Sequence, residues 1–240
     1  MSEPSYGSVA YAGYIAFVTK LAPDGSSSVY SITLGGTKNA AGAFPLDQGS
    51  AIVVNSSNEV YITGDTCSSD FPTFSYSYQQ QPPTPCLSTT NTSQFDKSAF
   101  ITELSHFGTL LFSTYLGGTN GTVSGNSISL NAAGDVYVGG NTSTSIFPGA
   151  PKITLNPSAG FLTKMSSTLQ FLKSTTFLGA SISNVVVAKP VSRLGIVSPL
   201  TSTTIYTAGV RYRPNSQIVD SSLVAFVVKL TDPVVIVAQP

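Results

Sequence analysis

Charge is scarce in this chain of 240 residues: 9% of the residues are charged, and 11 basic residues balance 11 acidic ones. A nucleic-acid-binding surface needs clustered lysine and arginine. The basic residues here form no run, and Arg211 and Arg213 come nearest to a cluster. The composition therefore predicts no nucleic-acid partner.

Long hydrophobic runs are also lacking. No run reaches the roughly 18 apolar residues that a membrane span needs, so we expect no spanning segment. The segment Met1–Tyr6 has neither a basic region nor an apolar core, so no secretory signal peptide is visible there. Serine, threonine, asparagine and glycine are abundant instead. This uncharged, hydroxyl-rich composition is typical of secreted proteins, and we expect an extracellular or cell-surface location.

The short motifs that mark common catalytic and phosphate-binding sites are absent. The sequence contains no G-x-S-x-G, S-x-x-K, P-loop or G-x-G-x-x-G pattern. It has no calcium-loop pattern, and its two cysteines, Cys67 and Cys86, are too far apart for a C-x-x-C zinc or redox motif. We therefore predict that the protein is not an enzyme and binds no cofactor or metal.

Three apolar motifs recur in a fixed order along the chain. They are rich in β-branched and aromatic residues and are bounded by Gly, Asn, Asp or Ser, which is typical of antiparallel strands. The first motif lies at Ala16–Leu21, Ala99–Leu104, Gly160–Met165 and Ala225–Leu230, the second at Tyr30–Gly36, Phe112–Gly118 and Thr175–Ala180, and the third at Val9–Gly13, Val60–Gly64, Val136–Gly140 and Ile205–Gly209. A short apolar strand precedes the last three copies of the third motif, at Ala51–Val54, Ile128–Leu130 and Val185–Val187.

The repeats predict one all-β domain over residues 1–240, because internal repeats outweigh local propensity when a fold is inferred. Counted in order, they give three strands and then three groups of four, ending at Val234–Ala238, for a total of 15. Apolar residues alternate imperfectly in Ala16–Leu21, which predicts sheets covered on both faces by their neighbours. The glycines that end the second and third motifs are expected to allow positive φ and close backbone approach, and so to turn the chain.

The best copy of the pattern, residues 99–148, resembles the bacterial β-propeller repeat usually called the SBBP repeat. The resemblance rests on Ala99–Leu104, Phe112–Gly118, Val136–Gly140 and a trailing Phe-Pro at Phe147 and Pro148, repeated at Phe71 and Pro72. It implies a β-propeller of four-stranded antiparallel blades, here about four with one incomplete, in an exported bacterial protein. The family carries no catalytic residues. Two alternatives remain for the unfinished edges: the ring closes with a short blade, or a neighbouring chain pairs with an edge such as Val234–Ala238.

Acidic loop residues and the single histidine are the remaining candidates for catalysis. His106 lies in Ser105–Gly108, where the first copy has Ala22–Gly25, and this position indicates a turn residue. The carboxylates with potential for glycoside chemistry are Asp47, Glu59, Asp65, Asp70, Asp96 and Asp135. Several of them, with Asp24, stand at turn positions where such residues serve backbone geometry.

An insertion at Thr73–Lys97 interrupts the repeat and is the best candidate for a binding site, because long loops on a rigid scaffold often bind partners. Its Phe74, Tyr76 and Tyr78 would stack on sugar rings or on another protein, or else would cover their own scaffold. A disulfide between Cys67 and Cys86 would fix this excursion and stabilise it by about 3 kcal/mol, and it would indicate an oxidising compartment.

Four N-x-[ST] sequons are possible glycosylation sites, at Asn55, Asn91, Asn120 and Asn141. For the whole chain we predict a non-enzymatic structural or adhesive module that associates with itself, through its terminal strands, into a surface assembly or filament. The alternative is a carbohydrate-binding propeller that uses the insertion to bind a surface glycan or protein. An exported glycan-active enzyme is the third hypothesis.

Overall fold

The computed structural model describes residues 13–42, 45–86, 96–144, 146–147, 149 and 159–178, together with the backbone of 181–187, 204–212 and 223–231. These residues form thirteen β-strands and contain no helix. The strands are β1 (Ala16–Leu21), β2 (Ser28–Leu34), β3 (Asp47–Val54), β4 (Val60–Thr66), β5 (Ser98–Leu104), β6 (Leu110–Leu116), β7 (Val123–Leu130), β8 (Val136–Thr142), β9 (Ala159–Met165), β10 (Leu172–Leu178), β11 (Ser181–Val187), β12 (Thr204–Tyr212) and β13 (Leu223–Thr231).

The strands form four antiparallel sheets in which each strand pairs with its neighbour in sequence. Sheet I contains β1 and β2, sheet II β3 to β6, sheet III β7 to β10, and sheet IV β11 to β13. The predicted all-β class and the predicted grouping of these strands are confirmed. The predicted strand at Val234–Ala238, and residues 9–12 of the one at Val9–Gly13, lie outside the described residues.

A hydroxyl pair links the first and second motifs in three sheets. In the first three copies of the first motif the fourth residue is a threonine, and it hydrogen-bonds a serine or threonine on the paired strand. The pairs are Thr19–Ser31 at 2.8 Å, Thr102–Ser113 at 2.9 Å and Thr163–Thr175 at 3.0 Å. Because each hydroxyl satisfies the other, the sheets can bury these polar side chains between apolar ones.

The sheets are stacked in a consistent order. Strand β3 lies beside β1, β7 lies beside β3, β4 and β5, and β11 lies beside β7, β8 and β9. One apolar core fills the space between sheets I and II, and a second lies between sheets II and III. Sheets II and III therefore each present one face to the preceding sheet and the other to the following sheet.

The glycines of the third motif permit close backbone approach rather than a turn. Gly64 and Gly140 lie opposite β-bulges at Gly49–Ala51 and Gly125–Ser127. A Cβ at Gly64 would overlap the Gln48 carbonyl oxygen, and one at Gly140 would overlap the Ser124 carbonyl oxygen. Neither glycine has a positive φ. The predicted close approach is confirmed, whereas the predicted positive φ and turning role are wrong at these two positions, because bulges, not turns, require the glycine.

Burial on both faces holds for the central strands of sheet II and not for β1 of sheet I. Every residue of β4 is buried, as are all residues of β5 except one. In β1, by contrast, Ala16 and Val18 are buried while Phe17, Thr19 and Leu21 are exposed. The expectation of two covered faces is therefore wrong for the strand on which it was based.

Candidate functional site

The insertion begins at a disulfide that the structure confirms. Cys67 and Cys86, which are 19 positions apart in sequence, are bonded, with their Cα atoms 5.3 Å apart. Both cysteines are buried. The backbone amide of Ala40 donates to the carbonyl oxygen of Cys86 at 3.1 Å, so the bridge connects the insertion to the loop that follows β2.

The insertion runs along β6, the edge strand of sheet II. Gln79 makes most of the contacts: its carbonyl oxygen accepts from the Tyr115 amide at 3.1 Å, and its own amide donates to Thr114 Oγ1 at 2.9 Å. Its side-chain amide exchanges two further hydrogen bonds with the Gly117 backbone, at 2.9 and 3.0 Å. The described part of the insertion therefore covers an edge that would otherwise present unpaired backbone groups.

The three predicted aromatic residues do not share one surface. Phe74 and Tyr76 are stacked, with ring centroids 5.3 Å apart, and both contact the buried Phe112 of β6. Tyr78 packs instead against the core between sheets II and III, where burial raises the pKa of its hydroxyl. Only Tyr76 is substantially accessible, with 51% of its surface exposed. Tyr78 thus covers its own scaffold, and Tyr76 beside Phe74 is what remains for a ligand.

His106 lies in an exposed turn, as predicted. The Ser105 side-chain oxygen accepts from the amides of Phe107 at 3.2 Å and Thr109 at 3.0 Å, and Gly108 completes the turn with a φ of 84°. The imidazole lies against the neighbouring Phe107 ring, with centroids 3.7 Å apart. His106 is therefore a residue of the turn between β5 and β6.

Asp47 is the most deeply buried of the candidate carboxylates. It accepts hydrogen bonds from the Gly36 amide at 2.9 Å, from Thr66 Oγ1 at 2.5 Å and from Ser68 Oγ at 2.8 and 2.9 Å. Burial raises the pKa of Asp47, and the hydrogen bonds oppose that shift. The carboxylate ties the Gly35–Gly36 corner after β2 to the ends of β3 and β4, which is a structural role.

Two other carboxylates are engaged by lysine. Asp65 pairs with Lys97 at 2.6 Å, and Asp135 pairs with Lys164 at 3.2 Å and Lys173 at 2.5 Å. Burial alone would raise the pKa of Asp135, but the hydrogen bonds from the two lysines lower it further than burial raises it. Asp65 and Asp135 therefore form ion pairs that connect the ends of strands and the turns between them.

The remaining candidates bond to nearby polar groups or face solvent. Asp70 accepts from Thr37 at its amide and hydroxyl, and Glu59 accepts from the Asn55 side chain at 2.6 Å. Asp96 is exposed. Among the residues that the structure describes, no group of three or more His, Cys, Asp or Glu side chains is placed to hold a metal.

Among the asparagines of the predicted sequons, Asn55 uses its side chain to stabilise a turn. Its side-chain oxygen accepts from the Ser57 and Glu59 amides at 2.9 Å, and Asn131, which is not in a sequon, makes the same contacts in the turn between β7 and β8. Asn120 is exposed and Asn141 is half-buried. Asn91 lies outside the described residues.

An exposed surface on sheet I is the feature that the sequence analysis missed. One face of this sheet carries six exposed side chains from alternating positions, and we refer to it as the open face: Phe17, Thr19, Leu21, Val29, Ser31 and Thr33. Phe17 alone has 74% of its surface exposed. All six side chains are uncharged, and three are large and apolar.

The equivalent faces of sheets II and III are buried or half-buried, except at Leu111 and Lys173, which correspond to Val29. Phe17, Phe100 and Phe161 are the second residues of successive first motifs and pair with corresponding positions of the next strand. Phe100 and Phe161 are both 0% exposed. The Phe71 ring lies 4.6 Å from Phe100, and the Phe147 ring lies 4.9 Å from Phe161.

A sequence signal for the open face does exist. Phe71 and Phe147 belong to the trailing Phe-Pro segments that follow the third motif. In the first copy, only Tyr14 and Ile15 separate Gly13 from Ala16, so no covering phenylalanine is encoded there. Phe17 consequently has no counterpart of Phe71.

The described residues include no helix long and apolar enough to cross a membrane. Comparison with known proteins found no matching family model and no matching curated protein.

Proposed function

We propose that this protein is a non-enzymatic, extracellular structural or adhesive module that associates with itself, built as a β-propeller of about four blades in which sheets I and IV of one chain do not close the ring. The observation that carries the proposal is the open face of sheet I. Monomeric soluble proteins rarely expose large contiguous apolar patches, and such patches usually mark interaction sites. Thr19 and Ser31 correspond to the buried pair Thr102–Ser113 of sheet II, whereas Thr33 stands where sheet II has Tyr115.

The order of the sheets supports the propeller arrangement. In a propeller, successive four-stranded antiparallel sheets pack face to face around an axis, and the first strand of each lies innermost. Here the first strands of sheets II, III and IV follow one another, since β7 lies beside β3 and β11 beside β7. Sheets II and III each have the four antiparallel strands of a blade.

The disulfide supports an extracellular location. Disulfides form and persist in oxidising environments such as the bacterial periplasm and the cell surface, and they are rare in the cytosol. The buried Cys67–Cys86 bridge is part of the fold, since it holds the insertion against sheet II. The low charge suits assembly, because little electrostatic repulsion opposes contact between copies.

Particle size in solution tests the proposal. We expect polymers or a fixed oligomer by light scattering and negative-stain electron microscopy. A single species of 24.9 kDa, the mass of one chain, at every concentration would contradict self-association.

Carbohydrate binding is the second candidate function, and the stacked, accessible Tyr76 and Phe74 favour it. Aromatic rings with one exposed face stack on sugar rings through dispersion and apolar contact. A glycan array should then retain the protein, and Tyr76→Ala should lose retention. Tyr14→Ala is the matched control, because Tyr14 is similarly exposed, at 46%, and lies two residues before the start of β1. Equal retention of both variants would contradict binding through the insertion.

A further inference from the structure

We propose that the open face of sheet I binds a second copy of this chain, head to tail, against the face of the other copy that points away from its own sheet III. The inference rests on the proposed self-association and adds the surface and the direction of the contact. It replaces pairing through terminal strands with packing between sheet faces.

The chemistry of the open face matches faces that the protein buries elsewhere. In sheet II, Phe100 and Leu104 pack in the core shared with Ala16 and Val18 of sheet I. Phe17 and Leu21 of sheet I occupy the corresponding positions, with the same residue types. A surface of this composition is buried at sheet II by a preceding sheet of the same repeat, so the same kind of sheet is the partner it fits.

The stacking has a direction, and the direction identifies the partner surface. Sheet II presents Phe100 to the preceding sheet and Ala99 and Ile101 to the following one. The described contacts run from sheet I to II, II to III and III to IV. Strand β13 of sheet IV carries the motif Ala225–Leu230, which repeats Ala99–Leu104. The last sheet of one copy therefore has the sequence pattern that the open face of the next copy requires.

The open face can be buried without leaving a charged side chain unpaired. The Lys20 ammonium points to the opposite side, where it donates to the His106 carbonyl oxygen at 3.1 Å. The polar pair on the open face, Thr19 and Ser31, is already mutually hydrogen-bonded. Among the open-face side chains, the Thr33 hydroxyl is then the remaining polar group whose desolvation opposes covering the surface.

A head-to-tail contact between unlike faces uses each face once per copy. Such heterologous contacts generate rings when the rotation closes and open filaments when it does not. A contact between two open faces would instead be isologous and would stop at a dimer. The proposal thus predicts assemblies larger than two copies.

Two single variants test the surface by sedimentation velocity over a concentration series. Phe17→Ser should raise the concentration at which assemblies form by about tenfold or more, since a buried phenylalanine contributes that much to an association constant. Phe107→Ser is the matched control: Phe107 is equally exposed, at 74%, but lies in the turn between β5 and β6. It should assemble like the unmodified protein.

A mixing experiment tests the direction. Phe17→Ser retains the opposite end, so a small fraction of it should add to growing assemblies and shorten them. Unchanged assemblies would indicate that open faces pair with each other and would overturn the head-to-tail contact.

The other outcomes separate the inference from the proposed function. If the protein assembles and both variants assemble equally, the open face is not the interface, although self-association stands. If the unmodified protein is monomeric and Phe17→Ser lowers its unfolding midpoint more than Phe107→Ser does, the face is covered within one chain. That result would overturn both the inference and the proposed function.

Discussion

Sheets I and II present the same motif to opposite environments. Phe17 and Phe100 are equivalent residues of equivalent strands, yet Phe17 is largely exposed and Phe100 is completely buried. Their own strands do not account for the difference, because Ala16–Leu21 and Ala99–Leu104 pair with their neighbours in the same register. The covering elements do: Phe100 has the Phe71 ring and a preceding sheet against it. Burial in this repeat is therefore set by neighbouring segments.

Truncation of Phe100 and of Phe17 should give the largest difference in the free energy of unfolding between the two sheets. Phe100→Ala should lower the free energy of unfolding by about 3–5 kcal/mol, because it leaves a cavity between two sheets. Phe17→Ala should change it by about 0.5 kcal/mol or less at concentrations where the protein is monomeric, as is usual for surface positions. Urea denaturation measures both, and similar losses in the two variants would contradict the difference in burial.

Removal of the disulfide should loosen the segments that surround Phe71. Cys67→Ser with Cys86→Ser should lower the free energy of unfolding by about 3 kcal/mol on the chain-entropy estimate for this loop length. Denaturation of the double variant, with reduced unmodified protein as a control, measures the loss. Residues of the closed loop hydrogen-bond to β6, so hydrogen exchange should increase more in β6 than in β1. Uniform acceleration of exchange would contradict that separation.

The hydroxyl pairs extend the comparison between a buried and an exposed equivalent to polar side chains. Thr102→Val leaves the buried Ser113 hydroxyl without its partner and should cost about 1–3 kcal/mol. Thr19→Val leaves Ser31 open to water and should cost about 0.5 kcal/mol or less. Thermal or urea unfolding of the two variants tests this, and an equal cost would show that exposure does not govern these pairs.

The smallest expected effect is a pH dependence from Asp135. Its pKa is lower in the folded protein than in the unfolded chain, so its ion pairs stabilise the fold above about pH 4, the ordinary aspartate value. That contribution is lost as the pH falls through the folded pKa. Because Lys173 is about half exposed, we expect at most about 1 kcal/mol.

Asp135→Asn should therefore flatten the decline of stability below pH 4, measured by denaturation across that range. Asp96→Asn, at an exposed position before β5 and outside the ion pairs of the described residues, is the control for the loss of one carboxylate. A profile that is identical for the unmodified protein and Asp135→Asn would contradict the assigned role of the ion pairs.

Much of the fold could be predicted because each strand encodes itself. Strands such as Ala99–Leu104 and Val136–Gly140 are short apolar runs with turn residues at their ends, and their repetition reveals their grouping. The turn at Ser105–Gly108 was predictable from its alignment with Ala22–Gly25. The disulfide was a reasonable hypothesis because both cysteines border one insertion.

The rest depends on contacts that no single motif contains. Phe17 has the same local sequence as Phe100, so its exposure cannot be inferred from its own strand. Tyr78 resembles Tyr76 in sequence, but the path of the insertion along β6 turns Tyr78 toward the core and leaves Tyr76 accessible. The sequence alone therefore does not distinguish Tyr78, which packs against the core, from Tyr76, which is accessible to a ligand.

The central claim is that the open face of sheet I is covered by a second copy, and thiol protection tests it most directly. Both native cysteines are paired, so Thr19→Cys places a single free thiol on the open face, and Ser57→Cys places one in the exposed turn between β3 and β4. We predict that the maleimide labelling rate of Thr19→Cys falls as protein concentration rises, while that of Ser57→Cys stays constant. Equal labelling rates for the two thiols at every concentration would contradict the claim.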